Sequence, residues 1–250
     1  MDAPMPKIVY HYCNLPVLDA IMTNSTIRLT DKRFDIAKLC KFYNDVQNLE
    51  LTKNTMKQLG MSDSDIEFGI AAAQKKLNDI IVYACCFSRF GDSPDEWFYA
   101  EDGNGVCLGF DTDVLSTLSP YLRFQFVTGM PMKDFVAMPK KFDEASTHEF
   151  AAQNTAFAKF DGDPKERAYR LVYIGTHTKG TDEISNFAHH RGAMVNRDGD
   201  KVEFFDIKLP MAKILKEVCI GPKCDPEQAK ALLEKAGIDL SSVDIQLSKN

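Results

Sequence analysis

The sequence predicts one α+β domain built on a mixed, largely antiparallel sheet core with flanking helices. Three observations carry that expectation. Ile80–Ser88 (IIVYACCFS) is a near-continuous apolar run, the pattern of a strand covered on both faces. Shorter segments, 106–111 and 122–126, alternate from residue to residue as a half-buried strand does. Helical patterns lie among these strands without the regular rhythm of a doubly wound sheet.

Taken in order, residues 8–12 (IVYHY) are β-branched and aromatic and predict a strand with His11 near its end. Asn14 then offers an N-cap, Pro16 suits a first turn, and Leu15, Leu18, Ile21 and Met22 repeat at helical spacing. Residues 25–30 (STIRLT) predict a second strand. From Ser64, paired with Glu67 at capping-box spacing, Ile66, Ile70, Ala73, Leu77 and Ile81 trace one helical face. Residues 33–80 are thus expected to form a mostly helical insertion.

After the apolar strand, Ser93-Pro94-Asp95-Glu96 reads as a capped helix start carrying Trp97 and Tyr99. Residues two apart do not share a helix face, so one of these rings packs inward and the other points elsewhere. The turn Asp102-Gly103-Asn104-Gly105 leads into the 106–111 strand. Further on we expect a helix at 112–118, a strand at 122–126, a loop at 128–143 and a helix at 146–160. A strand at 169–174 and a polar loop at 175–190 follow. Residues 194–209 predict a hairpin around Asp198-Gly199. The chain closes with a strand (ILKEVCIG), a helix opened by Asp225-Pro226 and capped near Gly237, and a last strand (VDIQLS). No repeat or linker divides residues 1–250, so one domain is expected.

Composition narrows the function classes. With 36 acidic and 30 basic residues the net charge is −6, a mean charge that argues against general nucleic-acid binding while leaving room for a local basic pocket. The seven cysteines are odd in number, lack any CxxC pair and sit mostly beside hydrophobic residues, Cys86 among them. That pattern predicts reduced, buried thiols, a cytoplasmic address and no metal site. No secretory signal and no apolar run near 20 residues occurs, so no membrane partner is expected. Walker A, GxGxxG, GxSxG and HExxH motifs are all missing.

A few residues stand out chemically. His11 at a strand end can meet a ribose hydroxyl or move a proton; the plainer alternative is a bond to a backbone carbonyl at a sheet edge. Trp97 fills a core or stacks on a base. Arg170 alternates away from Tyr169, Leu171 and Tyr173, so a cation among apolar neighbours needs a carboxylate or an anionic ligand. Arg28, Arg89 and Arg191, the last beside His189 and His190, can build a phosphate pocket or lie in solvated loops.

Tyr10-His11-Tyr12, Cys86-Phe87-Ser88, Trp97 with Tyr99, residues 105–111 (GVCLGFD), residues 166–172, Arg191 and Ile220-Gly221-Pro222 occur in an ordered set. That set resembles the bacterial family called domain of unknown function 2971, over about residues 8–248. Its opening, a strand ending in His-Tyr followed by a short helix and a second strand, looks like the entry to ADP-ribosyltransferase-like folds. The resemblance implies NAD as substrate, His11 to orient it, Tyr12 or Tyr99 to pack its nicotinamide, and Glu166 as the carboxylate that stabilises ribosyl transfer, with His11, Tyr99 and Glu166 as the expected catalytic residues. It also implies a role as a bacterial toxin or phage-defence effector. Arg28, Arg89, Trp97, Arg170 and Arg191 complete the expected cofactor-binding set. The alternative is a non-catalytic domain that binds a nucleotide or a protein target, favoured by Ala168 where the family usually has a second acid.

Overall fold

A computed structural model describes residues 5–32, 46–130, 158–160, 168–176, 180–195 and 199–250. It is an α+β fold with a mixed, mostly antiparallel sheet. The chain opens with β1 (Ile8–Asn14), α1 (Leu15–Asn24) and β2 (Thr26–Asp31). Asn14 caps α1 by accepting from the Val17 N–H, and Ser25 closes it in a left-handed conformation. Two helices, α2 (Val46–Gln58) and α3 (Asp63–Asp79), then lead into β3 (Ile80–Ser88). The expected insertion is therefore helical over these spans, and residues 33–45 lie outside the described set.

A 3-10 helix (Trp97–Gly103) joins β3 to β4 (Gly105–Asp111). After it come α4 (Thr112–Ser116), β5 (Leu122–Phe126), β6 (Thr128–Met130), β7 (Ala158–Phe160) and β8 (Ala168–Thr176). The remainder is α5 (Gly180–Phe187), β9 (His190–Val195), β10 (Lys201–Lys208), α6 (Met211–Ile214), β11 (Leu215–Ile220), α7 (Pro226–Lys235), a 3-10 turn (Leu240–Ser242) and β12 (Asp244–Leu247).

Ten described strands form one sheet, and β3 is its hub. Along one edge β3 pairs with β8 over its whole length, and β8 carries β5. Its other edge is shared. β2 takes the first part, with Thr30 opposite Ala84 and Asp31 opposite Tyr83, while β1 takes the end, with Tyr10 opposite Ser88. From there the sheet forks: β1 continues to β4, β11 and β12, whereas β2 continues to β10 and β9. Cys86 stands at the fork, between the last β2 pair and the β1 pair. The continuous apolar character of β3 follows from this position, since eight of its nine residues are buried.

The main core lies on one face of the sheet. Val9, Leu18, Ile21, Met22, Leu29, Phe87, Leu108, Phe110, Leu171 and Phe205 meet there, with Ala229 and Leu233 of α7 closing the layer. A smaller cluster of Tyr12, Trp97, Ala100 and Cys107 sits on the other face.

Four local expectations change. The cap before α3 is formed by Ser62, which accepts from the Asp65 N–H and donates to its carboxylate, rather than by Ser64 with Glu67. Ser93 does not start a helix, because its N–H donates to the Tyr12 hydroxyl and the Glu96 carboxylate is taken by Ser88. Regular structure begins only at Trp97. The polar 175–190 stretch contains α5, anchored in the core by Ile184. Residues 128–130 and 158–160 pair as parallel strands where a loop and a helix were expected.

Candidate functional site

The fork opens a cavity of about 660 Å³ between β1 and β2, within the usual size range of small-molecule pockets. Register fixes what faces it. Residues directly opposite on antiparallel strands share a face, so Tyr10 with Ser88, Thr30 with Ala84, and Cys86 with Arg170 line one side. Because β1 and β2 part here, the cavity also reaches α1 through the gap and exposes His11, which otherwise belongs to the core face.

His11 occupies the place a neighbouring strand would take. Its Nδ1 lies 3.1 Å from the Cys86 carbonyl. A carbonyl can only accept, so Nδ1 carries the proton and Nε2 is left as the acceptor. Burial lowers the His11 pKa from its ordinary value, and the bond to Cys86 offsets only part of that, so the ring is neutral near pH 7. The plain expectation for His11, a bond to a sheet-edge carbonyl, is met. The same bond fixes the tautomer of a ring that lines the cavity.

Tyr12 is held at both sides of its hydroxyl, donating to the Phe90 carbonyl at 2.9 Å and accepting from the Ser93 N–H at 3.0 Å. Burial raises its pKa far above the phenol range. Trp97 packs edge-on against the Tyr12 ring, 5.0 Å between centroids, and is 4% exposed. Two positions on, Tyr99 is 58% exposed and lines the cavity. The two aromatic side chains therefore point apart, one as packing and one toward the site.

Arg28 reaches the cavity wall but is already occupied. Its Nε and Nη2 donate to the two carboxylate oxygens of Asp206, directly opposite on β10, at 2.8 and 3.0 Å. The guanidinium also stacks over Phe204 at 3.5 Å, and His190 lies 3.5 Å from the same carboxylate. Arg170 is buried on β8 and lines the cavity.

Of the sequence candidates, His11, Tyr12, Arg28, Tyr99 and Arg170 come together around this cavity. Trp97 stands one layer behind Tyr12. Arg89 and Arg191 are not among the lining residues, so the three-arginine phosphate pocket is not assembled here. Arg191 instead faces the Tyr83 and Tyr173 side of the sheet. Glu166 lies outside the described residues.

Sequence reasoning missed Ser88, Glu96 and Asp206 in the lining. Ser88 donates to Glu96 at 3.1 Å and accepts from the Phe90 N–H at 3.0 Å, which holds a carboxylate at the cavity wall. Glu96 was legible only as a helix-capping residue. Cys86 also departs from expectation, since it is exposed at the fork rather than buried. Among the described residues no group of three or more His, Cys, Asp or Glu is placed to hold a metal ion. No described helix is long and apolar enough to cross a membrane.

The chain matches no protein-family model, no curated protein and no solved structure.

Proposed function

We propose that the forked-sheet cavity binds NAD and that the protein acts on the bond between nicotinamide and ribose, as ADP-ribosyltransferases do. The observation that carries this reading is the convergence of His11, Tyr12, Arg28, Tyr99 and Arg170 on one cavity of about 660 Å³. The resemblance to the bacterial family called domain of unknown function 2971, and a role as toxin or defence effector, belong to the same proposal.

The chemistry assigns each group a task. Neutral His11 accepts a hydrogen bond from a ribose hydroxyl through Nε2. Tyr99 offers an aromatic face to a planar ring, and Arg170 provides positive charge toward the pyrophosphate. Glu96, held by Ser88, offers negative charge to the ribosyl cation that develops as the C1′–N bond breaks. Nicotinamide leaves with the bonding pair, and an acceptor oxygen or water forms the new C1′ bond and gives up its proton. Glu166 is the second carboxylate proposed for this step.

The test is incubation with NAD, alone and with protein or nucleic-acid acceptors, followed by chromatographic detection of nicotinamide. Release by the wild-type protein and its loss in Tyr99→Ala and Glu96→Gln support the reading. No release under any of these conditions ends it.

One observation favours a second reading, a non-catalytic nucleotide sensor: the Arg28 guanidinium and the Tyr12 hydroxyl are both engaged within the protein. NAD would then raise the unfolding temperature without turnover, by a stabilisation of RT ln(1 + [L]/Kd).

A further inference from the structure

Asp92 joins two parts of the chain that are far apart in sequence. Its Oδ1 accepts from Trp97 Nε1 at 3.0 Å and from Ser248 Oγ at 2.7 Å. Its Oδ2 accepts from the Lys249 N–H at 2.9 Å, and its main-chain carbonyl accepts from Asn250 Nδ2 at 3.0 Å. Ser248 is itself fixed to the sheet through its N–H, which donates to the Ile220 carbonyl at 2.8 Å. The segment that follows β12 is thus tied at one end to β11 and at the other to the loop between β3 and the 3-10 helix.

That loop builds a wall of the cavity. It supplies Glu96, and the 3-10 helix after it supplies Tyr99. It is held by the Tyr12 hydroxyl from β1, by the Ser88–Glu96 bond at its root, and by Asp92. The first two come from the strands that line the cavity. The third brings in a segment that does not line the cavity. We propose that Asp92 is a positioning residue and that Ser248–Asn250 acts through it as a strap that sets the cavity wall carrying Glu96 and Tyr99.

Partial burial by itself would raise the Asp92 pKa, yet its hydrogen-bond donors hold it below the usual carboxylate value. The strap therefore depends on the ionised carboxylate. The residues of the strap are half-buried or exposed, so it can detach without opening the core. This inference does not depend on what the cavity binds.

Two built-in reporters test it. Trp97 is the only tryptophan, so its fluorescence reads the Asp92 contact. Cys86 lines the cavity, so its alkylation by iodoacetamide, followed on the Cys86 peptide by mass spectrometry, reads the wall. Asp92→Asn, and Lys249→Pro, which deletes the main-chain donor, are compared with Gln246→Ala as a control on β12. The expected result is a several-fold faster alkylation of Cys86 in both variants, with unchanged far-ultraviolet circular dichroism and a control that behaves as wild type. Trp97 emission shifts to the red in Asp92→Asn. Lys249→Pro leaves the Asp92–Trp97 bond in place and supplies the answer should Asp92→Asn not fold. A red shift without any change in Cys86 alkylation overturns the proposal, because Asp92 would then only pack Trp97. Equal alkylation in Lys249→Pro and wild type overturns it as well.

Discussion

The Nδ1 of His11 donates to the Cys86 carbonyl at 3.1 Å, at the point where β3 passes from its β2 neighbour to its β1 neighbour. A side chain thereby does what a strand N–H does elsewhere on this edge, as Lys32 N–H does for the Val82 carbonyl at 2.7 Å.

Removing the His11 ring leaves that carbonyl to water in the cavity, so His11→Ala should cost only about 1 kcal/mol of stability. Its pH dependence has a definite sign. Burial holds the folded pKa below the unfolded value, so the unfolded chain takes up the proton first as pH falls. The contribution of neutral His11 is complete above about pH 6.5, the unfolded value, and declines as pH drops toward the lower folded value. Urea unfolding at pH 7.5 and pH 5 should show a larger loss for wild type than for His11→Gln. An equal loss would place the acid sensitivity elsewhere.

Arg28 and Asp206 form a two-point ion pair across β2 and β10. The Arg28 side chain is 42% exposed but that of Asp206 only 12%, so the cost of breaking the pair falls on the carboxylate left behind. Arg28→Ala should destabilise by about 1–3 kcal/mol, less than a fully buried pair because water reaches the guanidinium side. Arg28→Ala combined with Asp206→Asn should recover part of the loss. A double variant whose cost equals the sum of its parts would show that the pair carries no coupling.

These two contacts mark the limit of what could be read from the sequence. Apart from β6 and β7, the strands were largely legible because periodicity is local: the apolar run of β3, the alternation of β5 and the Asn14 and Asp225 caps all lie within a few residues of what they determine. His11 and Cys86 are 75 positions apart, and Arg28 and Asp206 are 178 apart. No local pattern encodes such a register. The fork in the sheet exists only once β1 and β2 compete for one edge of β3, so the cavity and its Ser88 and Glu96 could not be foreseen. The Ser93 capping signal misled for the same reason, since Tyr12 and Ser88, both distant or outside the motif, claimed its groups. The aromatic pair was different: spacing alone separated Trp97 from Tyr99 correctly.

Ser25 ends α1 at φ 47°, with its N–H bonded to the Ile21 and Met22 carbonyls. A left-handed residue with a Cβ costs roughly 1–2 kcal/mol, and glycine is free of that penalty although it loses more chain entropy on folding. Ser25→Gly should therefore stabilise the protein by about 0.5–1 kcal/mol, a rise of roughly 2–3 °C in Tm for a chain of this size. Differential scanning calorimetry gives the answer. A lower Tm would mean that the Ser25 side chain makes a contribution larger than the strain it carries.

The cysteines should separate sharply in reactivity, because alkylation needs both access and thiolate. Burial pushes the Cys13 thiol up to about 12 and, with help from nearby acids, Cys219 up to about 11. Cys85 and Cys107 are raised well above the ordinary thiol value by the same loss of solvent, and Cys224 is raised too. Cys86 alone among the described cysteines is exposed. At pH 8 iodoacetamide should modify Cys86 well before the other five, and in urea all should react at similar rates. Peptide mass spectrometry over a time course distinguishes them. If Cys219 reacted as fast as Cys86 in the folded protein, the β4–β11 side of the sheet would have to open more readily than the fork at β3. That would remove the basis for treating the cavity as the accessible face of the molecule.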